Sequence, residues 1–253
     1  MRLLFFGNNK VGWQIAEWLH GQGETMVGVV LHPEAKRKFG AEIIHATGID
    51  PSQIIDGSTL REPATIEAIK ALNPEVGVSA LFGYILRREA LQLLPAGCVN
   101  IHPAYLPYNR GSYPNVWSII EGTPAGVTIH YIDEGVDTGD LIAQRQVTIE
   151  PTDTGGTLYQ KLEQLSVDLF KETWPLISAG QAPRVLQAKE AGTTHRVRDV
   201  DALDEIDLDR TYTGRELLNI LRARTFPPYK GAYLRDGDHK VYLRLELLNE
   251  DQL

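Results

Sequence analysis

The sequence has a single cysteine, Cys98, among 253 residues. An internal disulfide is excluded, as is any Cys-x-x-Cys metal or redox pair. Apolar runs never approach the eighteen or so residues of a membrane-spanning helix, and the N-terminus does not read as a leader, so the expectation is a cytoplasmic protein with no membrane contact. A surplus of positive charge is also missing. Lys and Arg number 25 against 33 Asp and Glu, a formal net charge of −8 with a pI near 5.4. Proteins that grip long nucleic acids carry a basic face, so no nucleic-acid partner is expected. HExxH, EF-hand and G-x-S-x-G patterns are absent, which leaves no metal site and no serine nucleophile to expect. Internal repeats and low-complexity tracts are absent too.

The apolar fraction, 43%, suffices for one large domain or a domain with an appendage. Residues 1–182 read as the main domain and 183–253 as a linker followed by a small subdomain. Arg2 to Phe6 is an apolar run closed by Gly7, and Val11, Ile15 and Leu19 follow at helical spacing. This strand–turn–helix carries Gly7 and Gly12 but not G-x-G-x-x-G, so its match to a dinucleotide fingerprint is weak. The helix N-terminus with Asn9 and Lys10 is a candidate phosphate contact. Further apolar runs at 25–31, 75–81 and 98–101 alternate with helical segments at 65–72 and 87–94, while 34–60 reads as irregular. Continuous apolar strands alternating with helices predict an α/β fold: a Rossmann-like, mostly parallel sheet covered by helices on both faces. A short helix is expected at 112–121, strands at 126–132 and 141–149, and the clearest helix at 154–179. Polar, irregular residues 183–200 read as the linker. A helix over 213–224 and two strands around Asp236-Gly237 predict a small C-terminal α+β subdomain with a hairpin, one face of 241–247 buried.

In such sheets ligands bind beyond the carboxyl ends of the strands. Gly7, Gly83 and the pair Asn100 and His102 all fall at such ends. Asn100 and His102 are two apart on an extended segment, so they point the same way. A Gly-punctuated acidic loop follows the next strand, with Asp133, Glu134, Asp137 and Asp140. Acyl transfer to an amine needs a proton acceptor, a donor for the developing oxyanion and a group that orients the imidazole. Histidine, a neutral amide and a carboxylate supply these. Asn100, His102 and one of the loop acids fit, with the choice among the acids open. His102 with Asp133, Asp137 and Asp140 as a metal site is the competing reading, and no ligand spacing supports it. His130, on a predicted strand, reads as a packed core histidine. His20, His32, His45, His195 and His239 read as structural or surface residues.

The stretches N-I-H-P-A-Y-L-P-Y-N-R-G and G-V-T-I-H-Y-I-D-E-G-V-D-T-G-D resemble the formyltransferases that use N10-formyltetrahydrofolate, over roughly residues 1–180 in organisation. Within that family, L-P-Y-N-R-G-S-Y-P-N-V-W-S-I and F-P-P-Y-K-G-A-Y look like the nucleotide-sugar N-formyltransferases acting on dTDP-linked amino sugars. The resemblance implies a formyltransferase fold in which Asn100, His102 and Asp137 are catalytic. It also implies that the formyl donor lies along Phe82, Gly83, Tyr84, Ile85 and Leu86 and along Asp133, Gly135 and Gly139. A nucleotide-sugar substrate, dTDP-4-amino-4,6-dideoxyglucose in the first instance, is implied on the other side, with an N-formylated sugar for a cell-surface polysaccharide as product. Candidate substrate contacts are Asn9, Lys10, Arg110 for a diphosphate, Tyr113 and Asn115 for the hexose, and Phe226 or Tyr229 for stacking on a base. A homodimer paired through C-terminal elements is implied as well. The rival readings are a methionyl-tRNA formyltransferase, which the acidic balance and the short, acidic C-terminal portion disfavour, and a non-catalytic folate or nucleotide-sugar binding module.

Overall fold

In the computed structural model, described over residues 1–188 and 191–252, strand and helix alternate as the apolar periodicity requires. Strand β1 (Arg2–Gly7) is buried beyond its first residue, and helix α1 (Asn9–Gly21) lays Val11, Ile15 and Leu19 inward on one stripe. Strand β2 (Thr25–Leu31) ends shortly before Pro33, which has no N–H to continue the ladder. The stretch expected to be irregular instead contains helix α2 (Gly40–Thr47) and the three-residue strand β3 (Ile54–Asp56). Neither carries an ordinary sequence signal. Helix α2 starts after Phe39, a left-handed residue (φ 53°) with no side-chain cap, and β3 is too short to show alternation.

Helix α3 (Pro63–Ala71) begins on a proline, whose missing N–H costs nothing in a first turn. Strand β4 (Val76–Ala80), the short helix α4 (Arg88–Leu91) and strand β5 (Cys98–His102) follow. Next come the two-residue β6 (Arg110–Gly111), helix α5 (Pro114–Glu121), strands β7 (Ala125–Tyr131) and β8 (Leu141–Val147), and the long helix α6 (Gly155–Ser178). The C-terminal elements are β9 (Thr194–His195), α7 (Asp201–Asp204), α8 (Gly214–Ala223), β10 (Tyr233–Asp236) and β11 (His239–Tyr242).

Seven strands form one sheet in the order β3-β2-β1-β4-β5-β7-β8. Strands β3, β2, β1, β4 and β5 pair in parallel, and β7 runs antiparallel to β5. That last pairing sets Asn100 opposite His130 and His102 opposite Thr128. Leu4, Phe6, Val30, Ile55, Ile69, Phe82 and Cys98 pack together in the core beside the sheet. Burial pushes the Cys98 thiol far above the ordinary cysteine range.

The chain divides into two compact units, each built from separate stretches of sequence. One comprises Met1–His102, Thr128–Gln144 and Gln164–Ala188, and the other Pro103–Val127, Arg145–Glu163 and Lys189–Leu253. In the second unit Ile206, Ile220 and Ala232 form a small core, against which Tyr212, Leu217 and Leu243 pack. Asn109 is fully buried there. Its amide donates to the Ser118 and Thr123 hydroxyls (2.9 and 2.8 Å), and its carbonyl oxygen accepts from Thr193 (3.0 Å).

The hairpin β10–β11 turns through Gly237, left-handed at φ 57°, where a glycine avoids the Cβ clash. The expected buried face of 241–247 holds only in part. Leu243, Leu245 and Leu247 are half-buried between exposed neighbours, whereas Val241, within strand β11, is 45% exposed. The stretch expected to be a linker is not featureless. Val185 exchanges two backbone hydrogen bonds with Leu141, and β9 pairs with β6. Residues 189 and 190 of that stretch lie outside the described residues. Among the described residues no helix is long and apolar enough to cross a membrane.

Candidate active site

Strand β5 carries Asn100 and His102 to the carboxyl end of the parallel strands, and period-two alternation puts both on one face. His102 is 6% exposed. The loop between β7 and β8 brings Asp137 to the same place. Its carboxylate lies 3.6 Å from His102 Nε2 through Oδ2, and 3.5 Å from Asn100 Nδ2 through Oδ1. An amide donor, an imidazole and a carboxylate thus share one small volume within a single unit. An acceptor-only carboxylate beside a ring nitrogen orients the imidazole, while the adjacent amide N–H can meet negative charge developing on an oxygen.

Geometry also separates the four loop acids. Asp133 Oδ1 accepts from the Gly135 amide (3.0 Å) and the Thr138 hydroxyl (2.7 Å), so it shapes the turn. Glu134 is exposed and faces Arg88 at 3.7 Å. Asp140 lies 3.6 Å from Arg184, whose guanidinium sits 3.6 Å over the Tyr131 ring. Asp137 lies against both Asn100 and His102. Its backbone is left-handed (φ 53°), a conformation that costs a non-glycine residue about 1–2 kcal/mol and so must be held by its surroundings. Two devices hold it. Gly139 approaches Tyr131 so closely that a Cβ would sit 1.9 Å from the Tyr131 carbonyl oxygen. Gln187 Nε2 donates to the carbonyls of Asp137 (2.9 Å) and Gly139 (2.7 Å). Nothing in the sequence marked Gln187, since its partners lie about fifty positions away and follow no pattern.

His130 departs from the sequence-based expectation. It is buried, as a core histidine would be, but its Nε2 lies 3.2 Å from Asn100 Nδ2 and 3.5 Å from Asp137 Oδ1. Alternation along β7 could not reveal this, because only the β5–β7 register places it across from Asn100.

The other segment at this rim is Phe82–Leu86. Gly83 is left-handed at φ 81°, and the Phe82 and Leu86 side chains are buried in the core. The His32 ring lies beside the Phe82 carbonyl and 4.7 Å from the Tyr84 ring. Ile85 here and Val136 on the acidic loop are 59% and 45% exposed, leaving apolar surface on both segments where the resemblance implies the formyl donor.

The remaining candidates divide by unit. Asn9, in the first, turns its own side chain onto the amides of Val11 (3.1 Å) and Gly12 (3.4 Å), the groups that would otherwise meet an anion, and Lys10 is exposed. In the second, Arg110 is buried and its amide bonds to the Thr193 carbonyl. Asn115 is buried with its amide on the Gly155 carbonyl at 2.8 Å. Tyr113 is exposed just before α5, and Phe226 and Tyr229 pack edge to face at 5.2 Å with Tyr229 half-exposed. Among the described residues no group of three or more His, Cys, Asp or Glu side chains is arranged to hold a metal ion.

Comparison with known proteins extends this geometry. Residues 1–173 match the formyl transferase family, and residues 199–249 match the N-formyltransferase dimerization C-terminal domain. A methionyl-tRNA formyltransferase of Clostridioides difficile is 32% identical over 244 residues, covering 94% of this chain and 77% of that protein. A solved 4-N formyltransferase from Francisella tularensis superposes with a TM-score of 0.82 at 28% identity, covering 98% of both chains. The formyltransferase PseJ from Anoxybacillus kamchatkensis, solved with UDP-4,6-dideoxy-4-formamido-L-AltNAc and tetrahydrofolate, superposes with a TM-score of 0.60 at 29% identity over 80% of this chain and 89% of that one.

Proposed function

This chain belongs to the formyl transferase family, and we propose that it moves a formyl group from N10-formyltetrahydrofolate to the amine of a nucleotide-linked amino sugar. The convergence of Asn100, His102 and Asp137 on one point carries the reading. The Francisella 4-N formyltransferase and PseJ, with its formamido sugar nucleotide, support a sugar rather than a tRNA acceptor. The acidic balance points the same way. Methionyl-tRNA formyltransferase is the second reading, because curated relatives of several organisms, at 31–35% identity, bear that name.

The donor supplies an activated formyl group, and PseJ was solved with tetrahydrofolate bound. The exposed Ile85 and Val136 offer apolar surface to a planar ring system. His102 accepts the proton that the attacking amine must lose as its nitrogen bonds to the formyl carbon. Asn100 donates an N–H to the carbonyl oxygen as that oxygen gains charge, without adding a charge of its own. Asp137 fixes the imidazole and balances its positive charge once it is protonated. The proton then passes to the departing nitrogen as the old carbon–nitrogen bond breaks. The amine is on carbon 4 of a dTDP-linked dideoxysugar in this reading, the product serves a cell-surface polysaccharide, and the enzyme works as a cytoplasmic dimer through its C-terminal elements. The partly exposed Val241 and Tyr242 of the hairpin are the apolar surface that would be covered.

The test is direct. The protein is mixed with formyl donor and, in parallel, with dTDP-4-amino-4,6-dideoxyglucose, the 3-amino isomer, the UDP and GDP counterparts, and methionyl-tRNA. Rapid formylation of a nucleotide sugar is expected. Transfer to methionyl-tRNA alone would replace the sugar reading with the tRNA one.

A further inference from the structure

An asparagine that stabilises an oxyanion must present its N–H and not its carbonyl, and the two ends of the amide have nearly the same shape. Something must therefore choose the orientation. Strand register puts His130 directly across from Asn100, and the histidine is only 1% exposed. Its Nδ1 lies 2.8 Å from the Tyr131 carbonyl oxygen. A carbonyl only accepts, so Nδ1 carries a proton, and in the neutral ring Nε2 is then a lone pair. That lone pair lies 3.2 Å from Asn100 Nδ2, and the carboxylate of Asp137, another pure acceptor, lies 3.5 Å from the same nitrogen. Asp137 Oδ1 is also 3.5 Å from His130 Nε2, so two acceptors face each other and the amide N–H beside both is the donor that reconciles them. A flipped amide would set its oxygen against both acceptors.

We infer that His130 is the positioning residue for Asn100, holding one N–H of its amide on Nε2 so that the other is aimed at the reacting carbonyl. His130 acts only in its Nδ1–H tautomer and touches no substrate atom. The assignment rests on the reading of Asn100 as the oxyanion donor. It adds a fourth residue, fixed by the backbone carbonyl of its neighbour in β7, to the three that the resemblance implies.

Nitrogen-15 NMR of the unmodified protein labelled on histidine and asparagine tests the tautomer first. At neutral pH His130 should show a protonated Nδ1 and a bare Nε2. A proton on Nε2 would overturn the assignment without any variant. The Asn100 side-chain amide, identified with Asn100→Asp, should show two well-separated proton resonances that draw together in His130→Leu. In steady-state kinetics His130→Leu should lose about 10- to 100-fold in kcat, less than outright removal of an oxyanion donor, with both KM values nearly unchanged. His130→Gln, which keeps an acceptor, should recover most of the loss. A leucine variant with full kcat and unshifted Asn100 resonances would refute the proposal, and so would a loss confined to KM. If the wild-type protein formylates none of the amines offered, the functional reading falls, while the tautomer and the Asn100 resonances still decide the role of His130.

Discussion

Replacing Gln187 with leucine should loosen the loop that carries Asp137, and the size of the effect follows from the contacts. A single amide nitrogen, on a side chain 9% exposed, serves two backbone carbonyls at 2.9 and 2.7 Å. Leucine fills a similar volume and donates nothing. Each buried carbonyl stripped of its partner costs about 1–3 kcal/mol, and partial access of water at the rim lowers the sum. Gln187→Leu should therefore destabilise the protein by about 2–4 kcal/mol, a sizeable part of the roughly 5–15 kcal/mol that holds a typical domain together. The left-handed turn at Asp137 relies on the same clamp, so kcat should drop while KM for the amine changes little. Urea unfolding followed by fluorescence gives the first quantity, and initial rates at saturating donor give the second. Gln187→Glu should be worse than leucine, because a carboxylate would face two carbonyl oxygens. A leucine variant within about 0.5 kcal/mol of wild type, the range of ordinary surface changes, and with unchanged kcat would refute the clamp.

Two other predictions come from close packing and burial. Gly139→Ala would force a Cβ to within 1.9 Å of the Tyr131 carbonyl oxygen and must shift the turn, so turnover should fall more than about tenfold. Gly83→Ala meets nothing nearer than the His32 ring at 3.7 Å and should cost only the backbone strain of a left-handed alanine, on the order of 1 kcal/mol in a melting experiment. Equal effects of the two substitutions on turnover would contradict this contrast. The Cys98 thiol, buried in the sheet and held protonated by that burial, should resist an aromatic disulfide reagent in the native protein and react fully once unfolded. Rapid stoichiometric labelling of native protein would show that the packing around β5 is wrong.

Much of the first unit was legible in the sequence because its strands are continuous apolar runs and its strand ends are marked by Gly7 and Gly83. The position of Asn100 and His102 at a strand end followed from the same pattern, and their common face from period two. Three kinds of information were not local. The choice of Asp137 over its three acidic neighbours depends on how the loop folds, with Asp133 spent on the turn and Asp140 drawn to Arg184. The role of His130 depends on the register between two strands thirty residues apart. The clamp by Gln187 reaches back across about fifty residues from a stretch whose polarity looked like a linker. Helix α2 was hidden for a simpler reason, an exposed left-handed Phe39 where a capping Ser, Asp or Asn would have announced it.

Single-turnover formyl transfer to dTDP-4-amino-4,6-dideoxyglucose, measured for wild type and for Asn100→Ala, His102→Ala and Asp137→Ala, tests the central claim most directly. The account predicts that each variant stays folded and still binds both substrates, that each slows the chemical step by about 100-fold or more, and that the double and triple variants lose far less than the product of the single losses, because the three side chains act as one unit. A chemical step of undiminished rate in the His102 or Asp137 variant would contradict it.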